Sequence, residues 1–212
     1  MNEIDVFFER LWQQYSSISP QAAAIHRLFE SEGEVLVNDH IAFRTFANST
    51  ISIDHLESEI FAMGYQYLDS YHFEDKKLDA RCYLHDKSPT KIFISELRWE
   101  SLSVKAQAIL KNIILQADSK ANAYSGSLLS SGRLWALPSY ADYLSLLEQS
   151  EYAAWLSVWG LRANHFTLSV NHFKKYPQLP QVVDLLQKQG YQLNTSGGVI
   201  KGTKEDLLIQ AA

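Results

Sequence analysis

The chain has 212 residues, 46% of them hydrophobic and 20% charged, which suits one large globular domain or two small modules sharing a core. A net charge of −5 and the lack of any Lys/Arg stripe argue against a nucleic-acid partner. One cysteine, Cys82, permits no internal disulfide, the acidic start MNEIDVFFER is unlike a secretory signal, and the apolar run YAAWLSVWGL is about half a bilayer span, so a cytoplasmic protein with no membrane partner is expected.

In chain order, residues 1–34 read as two N-terminal helices. Val6, Phe7, Arg10, Leu11 and Tyr15 follow helical spacing behind Asp5 as N-cap. Pro20 opens a second helix, capped by Ser19 and closed by Gly33. Residues 35–100 read as a βαβββ module: the strand NDHIAFRTF, a helix capped by Asp54 and ended by Gly64, then strands in YQYLDSYHFE, DARCYLHD and KIFISELRW. Residues 101–159 form a helical connection, carried by SLSVKAQAILKNIILQA and PSYADYLSLLEQSEYAAWLSVWG, with Trp155 and Trp159 as core aromatics. Residues 160–212 begin a second module.

The second module repeats the first. A histidine in a strand, a loop, a helix and a Gly-Tyr pair recur as His40 to Gly64-Tyr65 and His165 to Gly190-Tyr191, over 24 and 25 residues to the glycine. A strand should follow each pair. The counterpart of Glu96 would fall at position 221, beyond Ala212, so the second module reads as incomplete and the chain as the front part of a longer one. The final run TKEDLLIQAA reads as helix-like. A missing strand would leave an open sheet edge, which makes a homodimer a candidate assembly.

Side chains alternate along a strand, so His40, Ala42, Arg44 and Phe46 share one face, opposite Ile41, Phe43 and Thr45. On the second strand His165, Thr167, Ser169 and Asn171 face together. Two such strands imply a cupped mixed sheet around a polar cavity, an α+β fold with outer helices. Neutral imidazole is the commonest metal ligand, and the duplication singles out His40 and His165. The bland alternative, hydrogen-bonded structural histidines, has equal weight. Arg44 beside them suits a carboxylate, or else a surface ion pair. Glu96 is a doubtful metal ligand, better read as an ion-pair partner of Arg98 or Arg44. His26, His55 and His85 read as surface or cap residues, and His72 and His172 stay open. TSGGVIKG matches no phosphate-loop pattern and reads as a strand connection. Ser130, Ser131 and Arg133 in SSGRLW suggest no chemistry.

The segments NDHIAFRTF, KIFISELRWE, SGRLW, SEYAAWLSVWGLRANHFT and NTSGGVIKGTKEDLLIQ resemble the 2-oxoadipate dioxygenase/decarboxylase family, from about Val6 to the end. The resemblance implies a fold similar to the vicinal oxygen chelate superfamily, with paired βαβββ modules around a metal. It implies that His40 and His165 are two ligands of a non-haem Fe(II) and that Arg44 holds a substrate carboxylate; Thr167 and Ser169, on the strand face of His165, are expected to bind substrate with it. The family's third ligand, a glutamate in a later strand, and its second substrate arginine have no counterpart in these residues. The implied reaction converts 2-oxoadipate and O2 to 2-hydroxyglutarate and CO2, in lysine catabolism. Two other classes stay open on the residues alone: a non-catalytic small-anion binding module, and a Zn- or Mn-dependent hydrolase or isomerase in the same cup.

Overall fold

In the computed structural model, residues 3–195, 197–203 and 209–212 are described. The chain forms two compact units, residues 1–18 with 38–167 and residues 19–37 with 168–212. This differs from the division read from the sequence: the two N-terminal helices fall into different units, and the helical connection belongs with the first module. Among the described residues no helix is long and apolar enough to cross a membrane.

The first unit is built on β1 (Asn38–Phe46), α3 (Ile53–Ala62), β2 (Gln66–Phe73), β3 (Leu78–His85) and β4 (Ser88–Leu97), the expected βαβββ order. With β5 (Ala163–Leu168) these strands make one five-stranded mixed sheet, ordered β2-β3-β4-β1-β5. β1 runs parallel to β4, whereas β2, β3 and β4 form antiparallel pairs. α1 (Glu3–Ile18), α4 (Val104–Ala121), α5 (Tyr140–Leu147) and α6 (Glu151–Trp159) complete the unit.

The apolar face predicted for β1 is the core face. Ile41, Phe43, Ile92, Ile94 and Tyr83 are buried there, together with Leu56 and Ile60 of α3. Burying such side chains contributes roughly 1.5–3 kcal/mol each. The cap residues differ from expectation. Asp5 lies inside the first turn of α1, and Ser52, not Asp54, precedes α3. Asp54 instead pairs with Arg81 at 2.8 Å. The single helical run read over residues 138–160 is two helices, because the Ser150 hydroxyl accepts from Ala153 N–H and starts α6 anew.

The second unit holds α2 (Pro20–Ser31), α7 (Leu179–Lys188) and the short antiparallel pair β6 (Ile200–Lys201) and β7 (Gln210–Ala211). Phe29, Phe173, Val182 and Leu185 form its small core, with the Phe29 and Phe173 rings 4.9 Å apart. Gln210 and Ala211 are thus strand rather than helix; most of the rest of the predicted terminal helix lies outside the described residues. Within TSGGVIKG, read from the sequence as a strand connection, Ile200 and Lys201 form β6 itself.

The Gly-Tyr repeat has a physical basis. After α3, Gly64 N–H donates to the Phe61 carbonyl and Tyr65 N–H to Ile60; after α7, Gly190 donates to Gln187 and Tyr191 to Leu186. Both glycines sit at left-handed φ, +88° and +84°, which lets this closing turn form without a Cβ penalty. The likeness ends there. β2 follows Tyr65, but residues 192–195 form no regular structure.

Glu34 makes the second unit sensitive to acid. Its buried carboxylate accepts N–H bonds from Lys174 (2.7 Å), Lys175 (2.8 Å) and Tyr176 (3.0 Å). Burial acts to raise its pKa, but the three donors and the nearby Lys174 charge more than offset this, leaving it below the ordinary value. A pKa lower in the folded state gives stability that is present above the unfolded value, about 4.3, and lost as pH falls through the folded one. Amide exchange at Lys174–Tyr176 should therefore accelerate on acidification below about pH 4 beyond its intrinsic pH dependence. Glu34→Gln should flatten that response, and an unchanged profile would refute the assignment.

Candidate functional site

The polar face of β1 is the site. The β1–β4 register places His40 beside Lys91, Ala42 beside Phe93 and Arg44 beside Ser95. Ala80 and Cys82 of β3, and Asp69 and Tyr71 of β2, continue the same face. Small residues line much of this surface, and Tyr71 packs on Phe93 with ring centroids 5.7 Å apart.

β5 flanks β1, bringing together two histidines 125 residues apart. His40 Nε2 and His165 Nε2 are 3.3 Å apart, with their rings nearly perpendicular at 81°. The Thr167 hydroxyl lies 3.2 Å from His40 Nε2. Each imidazole is held from behind by the residue preceding it: Asp39 Oδ1 lies 2.8 Å from His40 Nδ1, and the Asn164 side-chain amide 3.0 Å from His165 Nδ1. The His40 hydrogen bond holds the Asp39 carboxyl below its ordinary range. Asp39 is thus a pure acceptor at neutral pH, so His40 Nδ1 is the donor in their hydrogen bond. Burial, then the proximity of His40 and Arg44, pushes the His165 pKa down to about 4, so this ring is neutral near pH 7.

Two converging imidazoles, each backed by a second-sphere partner, suit a divalent metal. Two nitrogens each about 2.1 Å from one ion lie at most about 4 Å apart, so the observed separation fits. Among the described residues no third His, Cys, Asp or Glu joins the pair.

Glu96 is not beside the histidines. It pairs in register with Thr45, on the opposite face of the sheet, where its carboxylate accepts the Ile53 N–H at 2.9 Å at the start of α3. Burial there raises its pKa. The ion pairs proposed for it form elsewhere: Arg98 joins Glu74 and Asp79, and Arg44 joins Glu151. Ser169 and Asn171 leave the predicted strand face because β5 ends at Leu168 and a 3-10 turn covers Val170–His172. The Ser169 hydroxyl contacts His172 Nδ1 at 3.0 Å. His72, the other open histidine, lies on the exposed strand β2 against Asp79 and Glu74.

Arg44 stands further along β1, over the rings of Tyr152 (4.8 Å) and Trp155 (5.0 Å), and its guanidinium lies 3.3 Å from the Glu151 carboxylate. Such cation–π contacts fix the plane of the guanidinium. Glu151 is largely exposed, so the ion pair itself is weak. Tyr152 anchors α6: its buried hydroxyl donates to the Ser95 carbonyl at 2.6 Å and accepts the Thr45 N–H at 2.9 Å.

SSGRLW supports this arrangement. Trp135 and Arg133 bind the Ser157 and Val158 carbonyls of α6 at 2.7 and 2.9 Å. Gly132 and Leu161 exchange backbone hydrogen bonds, and a Cβ on Gly160 would lie 2.4 Å from the Gly132 carbonyl oxygen. Only glycine fits there. Trp159 is more than one-third exposed and does not belong to the core.

Comparison with known proteins shows the family. A family model described as 2-oxoadipate dioxygenase/decarboxylase matches residues 8–212. The 2-oxoadipate dioxygenase/decarboxylase of Arabidopsis thaliana, named as chloroplastic, is 30% identical over 213 residues, covering 93% of this chain and 57% of that protein. A rice counterpart, named as chloroplastic/amyloplastic, is 32% identical over 224 residues. The chain thus spans under three-fifths of the length of these relatives. Among solved structures, rice hydroxyglutarate synthase in complex with 2-oxoadipate is 30% identical with a TM-score of 0.86, covering 97% of this chain and 72% of that one. A Shewanella frigidimarina protein provisionally called a hydrolase is 38% identical with a TM-score of 0.88, covering 97% and 80%. A glyoxalase-superfamily protein from Ralstonia eutropha, at 18% identity and a TM-score of 0.70, shares the fold. The chain belongs to the 2-oxoadipate dioxygenase/decarboxylase family.

Proposed function

We propose that this chain carries the metal- and substrate-binding face of a non-haem Fe(II) dioxygenase/decarboxylase acting on a 2-oxo dicarboxylic acid, with 2-oxoadipate as its substrate. The observation that carries the reading is the 3.3 Å approach of the His40 and His165 Nε2 atoms, on a face that also presents Arg44, in a member of this family.

His40 and His165 would hold the metal as two donors of a facial set. Bound there, Fe(II) supplies the redox chemistry by which O2 and the 2-oxo acid become a shortened 2-hydroxy acid and CO2. For 2-oxoadipate the product is 2-hydroxyglutarate, and the atoms balance without a further reductant. The protein's own part is positioning. Four residue steps of strand separate His40 and Arg44, about 13 Å along the backbone, which places Arg44 for the carboxylate remote from the histidine pair. The Tyr152 and Trp155 rings hold the guanidinium in plane, and Glu151, exposed and weakly paired, gives way to the incoming carboxylate. Thr167 donates to ligands near His40. The aromatic pair Tyr71 and Phe93 would lie against the chain of the acid.

The test is anaerobic loading with Fe(II), followed by an oxygen-electrode assay with 2-oxoadipate and analysis of the products. Equimolar O2 uptake, CO2 release and 2-hydroxyglutarate formation is the expected result. Turnover supported by Zn(II) without O2 uptake would overturn it in favour of a hydrolase or isomerase. Binding of the acid by protein that takes up no metal would overturn it in favour of a small-anion module.

A further inference from the structure

Arg44 is not alone in putting a cation on the polar face of the sheet. Ile92 and Ile94 of β4 are buried in the core, so alternation turns Lys91, Phe93 and Ser95 to the other side, with Lys91 in register beside His40. Burial raises the pKa of the Cys82 thiol and the Lys91 charge acts against it, which puts the ammonium near that residue of β3. The ammonium is loosely held. Its Nζ lies 3.5 Å from Asp39 Oδ2, long for a hydrogen bond, and both side chains are more than one-third exposed. A pair of this kind contributes little, so Lys91 can turn to a better-placed anion.

Arg44 and Lys91 stand at two ends of one stretch of the face. Arg44 pairs with Ser95, and four residue steps of β4, about 13 Å, separate Ser95 from Lys91. Side chains stand roughly perpendicular to a sheet, so this spacing carries over to the two charges. Ala42, Ala80 and Cys82 leave room between them, and Phe93 and Tyr71 pack together alongside. An extended six-carbon diacid measures about 6 Å between its carboxyl carbons, and one charge-assisted hydrogen bond at each end extends this to about 13 Å. The span fits. The carboxylates of this face lie outside the gap: Asp39 is behind His40, and Asp69, on the edge strand, accepts the Ser70 N–H at 2.8 Å.

We propose that Lys91 is a substrate-binding residue that takes the carboxylate at the 2-oxo end of the acid while Arg44 takes the remote one, so that the face selects six-carbon 2-oxo dicarboxylates by holding both ends. The inference rests on the reading of this face as the substrate site and deepens it by naming the second cation. The two side chains suit their ends. The Arg44 fork, held in plane by Tyr152 and Trp155, fixes the remote carboxylate, whereas the Lys91 ammonium is a compact charge on a flexible stem and follows a carboxylate that also faces the histidine pair.

The test is calorimetric binding of three acids to the whole chain, under anaerobic conditions with Fe(II) supplied. They are 2-oxoadipate, 2-oxohexanoate, which lacks the remote carboxylate, and 5-oxohexanoate, which lacks the one beside the keto group. Lys91→Met, which keeps the stem without its charge, should weaken 2-oxoadipate and 2-oxohexanoate about 10- to 100-fold, the scale of one charge-assisted hydrogen bond, and leave 5-oxohexanoate unchanged. Arg44→Ala should show the complementary pattern, weakening 2-oxoadipate and 5-oxohexanoate but not 2-oxohexanoate. Lys91→Arg, with the charge kept, should recover most of the affinity. Unchanged 2-oxohexanoate binding in Lys91→Met, or equal weakening of all three acids, would overturn the inference while leaving the substrate site standing. Failure of the wild-type chain to bind 2-oxoadipate would overturn the reading of the face itself.

Discussion

Replacing His40 with alanine should abolish measurable retention of Fe(II) or Zn(II) while leaving the fold intact. His40 is half of the only pair of imidazoles that converge among the described residues, and its Nε2 points at His165 rather than into the apolar core. Losing an outer-shell partner alone typically costs 10- to 100-fold in metal affinity, so losing a donor should exceed about 100-fold. The side chain lies on the polar face, opposite Ile41 and Phe43, so no core cavity follows and the melting temperature should scarcely change. Anaerobic competition against a coloured chelator reads the affinity directly. Wild-type affinity in His40→Ala would remove the histidine pair from the metal site.

Replacing Arg44 with alanine should have a different signature, with normal metal retention and much weaker use of substrate. Removing one partner of a desolvated Arg–carboxylate contact costs on the order of 2–5 kcal/mol, about 30-fold to several thousandfold in kcat/KM. Arg44→Lys should recover only part of this loss. It restores the charge, but an ammonium has neither the planar fork for a carboxylate nor the flat surface that lies over Tyr152 and Trp155. Loss of metal in Arg44→Ala, or full activity in Arg44→Lys, would count against a carboxylate-binding role.

These two substitutions separate the parts of the site because β1 keeps them apart. Metal loss without a substrate effect, or the reverse, can be traced to one end of the strand.

Much of the fold was legible along the chain because it follows local rules. Alternation in NDHIAFRTF correctly separated His40 and Arg44 from Ile41 and Phe43, since the pleat of a strand is set by the backbone. Gly64-Tyr65 and Gly190-Tyr191 marked equivalent helix ends because the closing turn needs a left-handed residue whatever surrounds it. What failed locally failed for competing local reasons: Ser52 and Ser150 proved better placed as helix starts than Asp54 or a continuous run. Ser169 left the strand face because β5 ends one residue earlier.

The sequence by itself determined which residue types stand on each strand and which face they share, and so placed His40 and Arg44 on one face of β1. Only the tertiary structure decided that β5 lies beside β1, bringing His165 to within 3.3 Å of His40. It also sent Glu96 to the far side of the sheet and placed α6 where Tyr152 and Trp155 carry Arg44. The reason is physical: the pleat and the caps depend on neighbours a few residues apart, whereas strand order and the seating of a helix on a sheet depend on contacts more than a hundred residues apart, which no local pattern encodes.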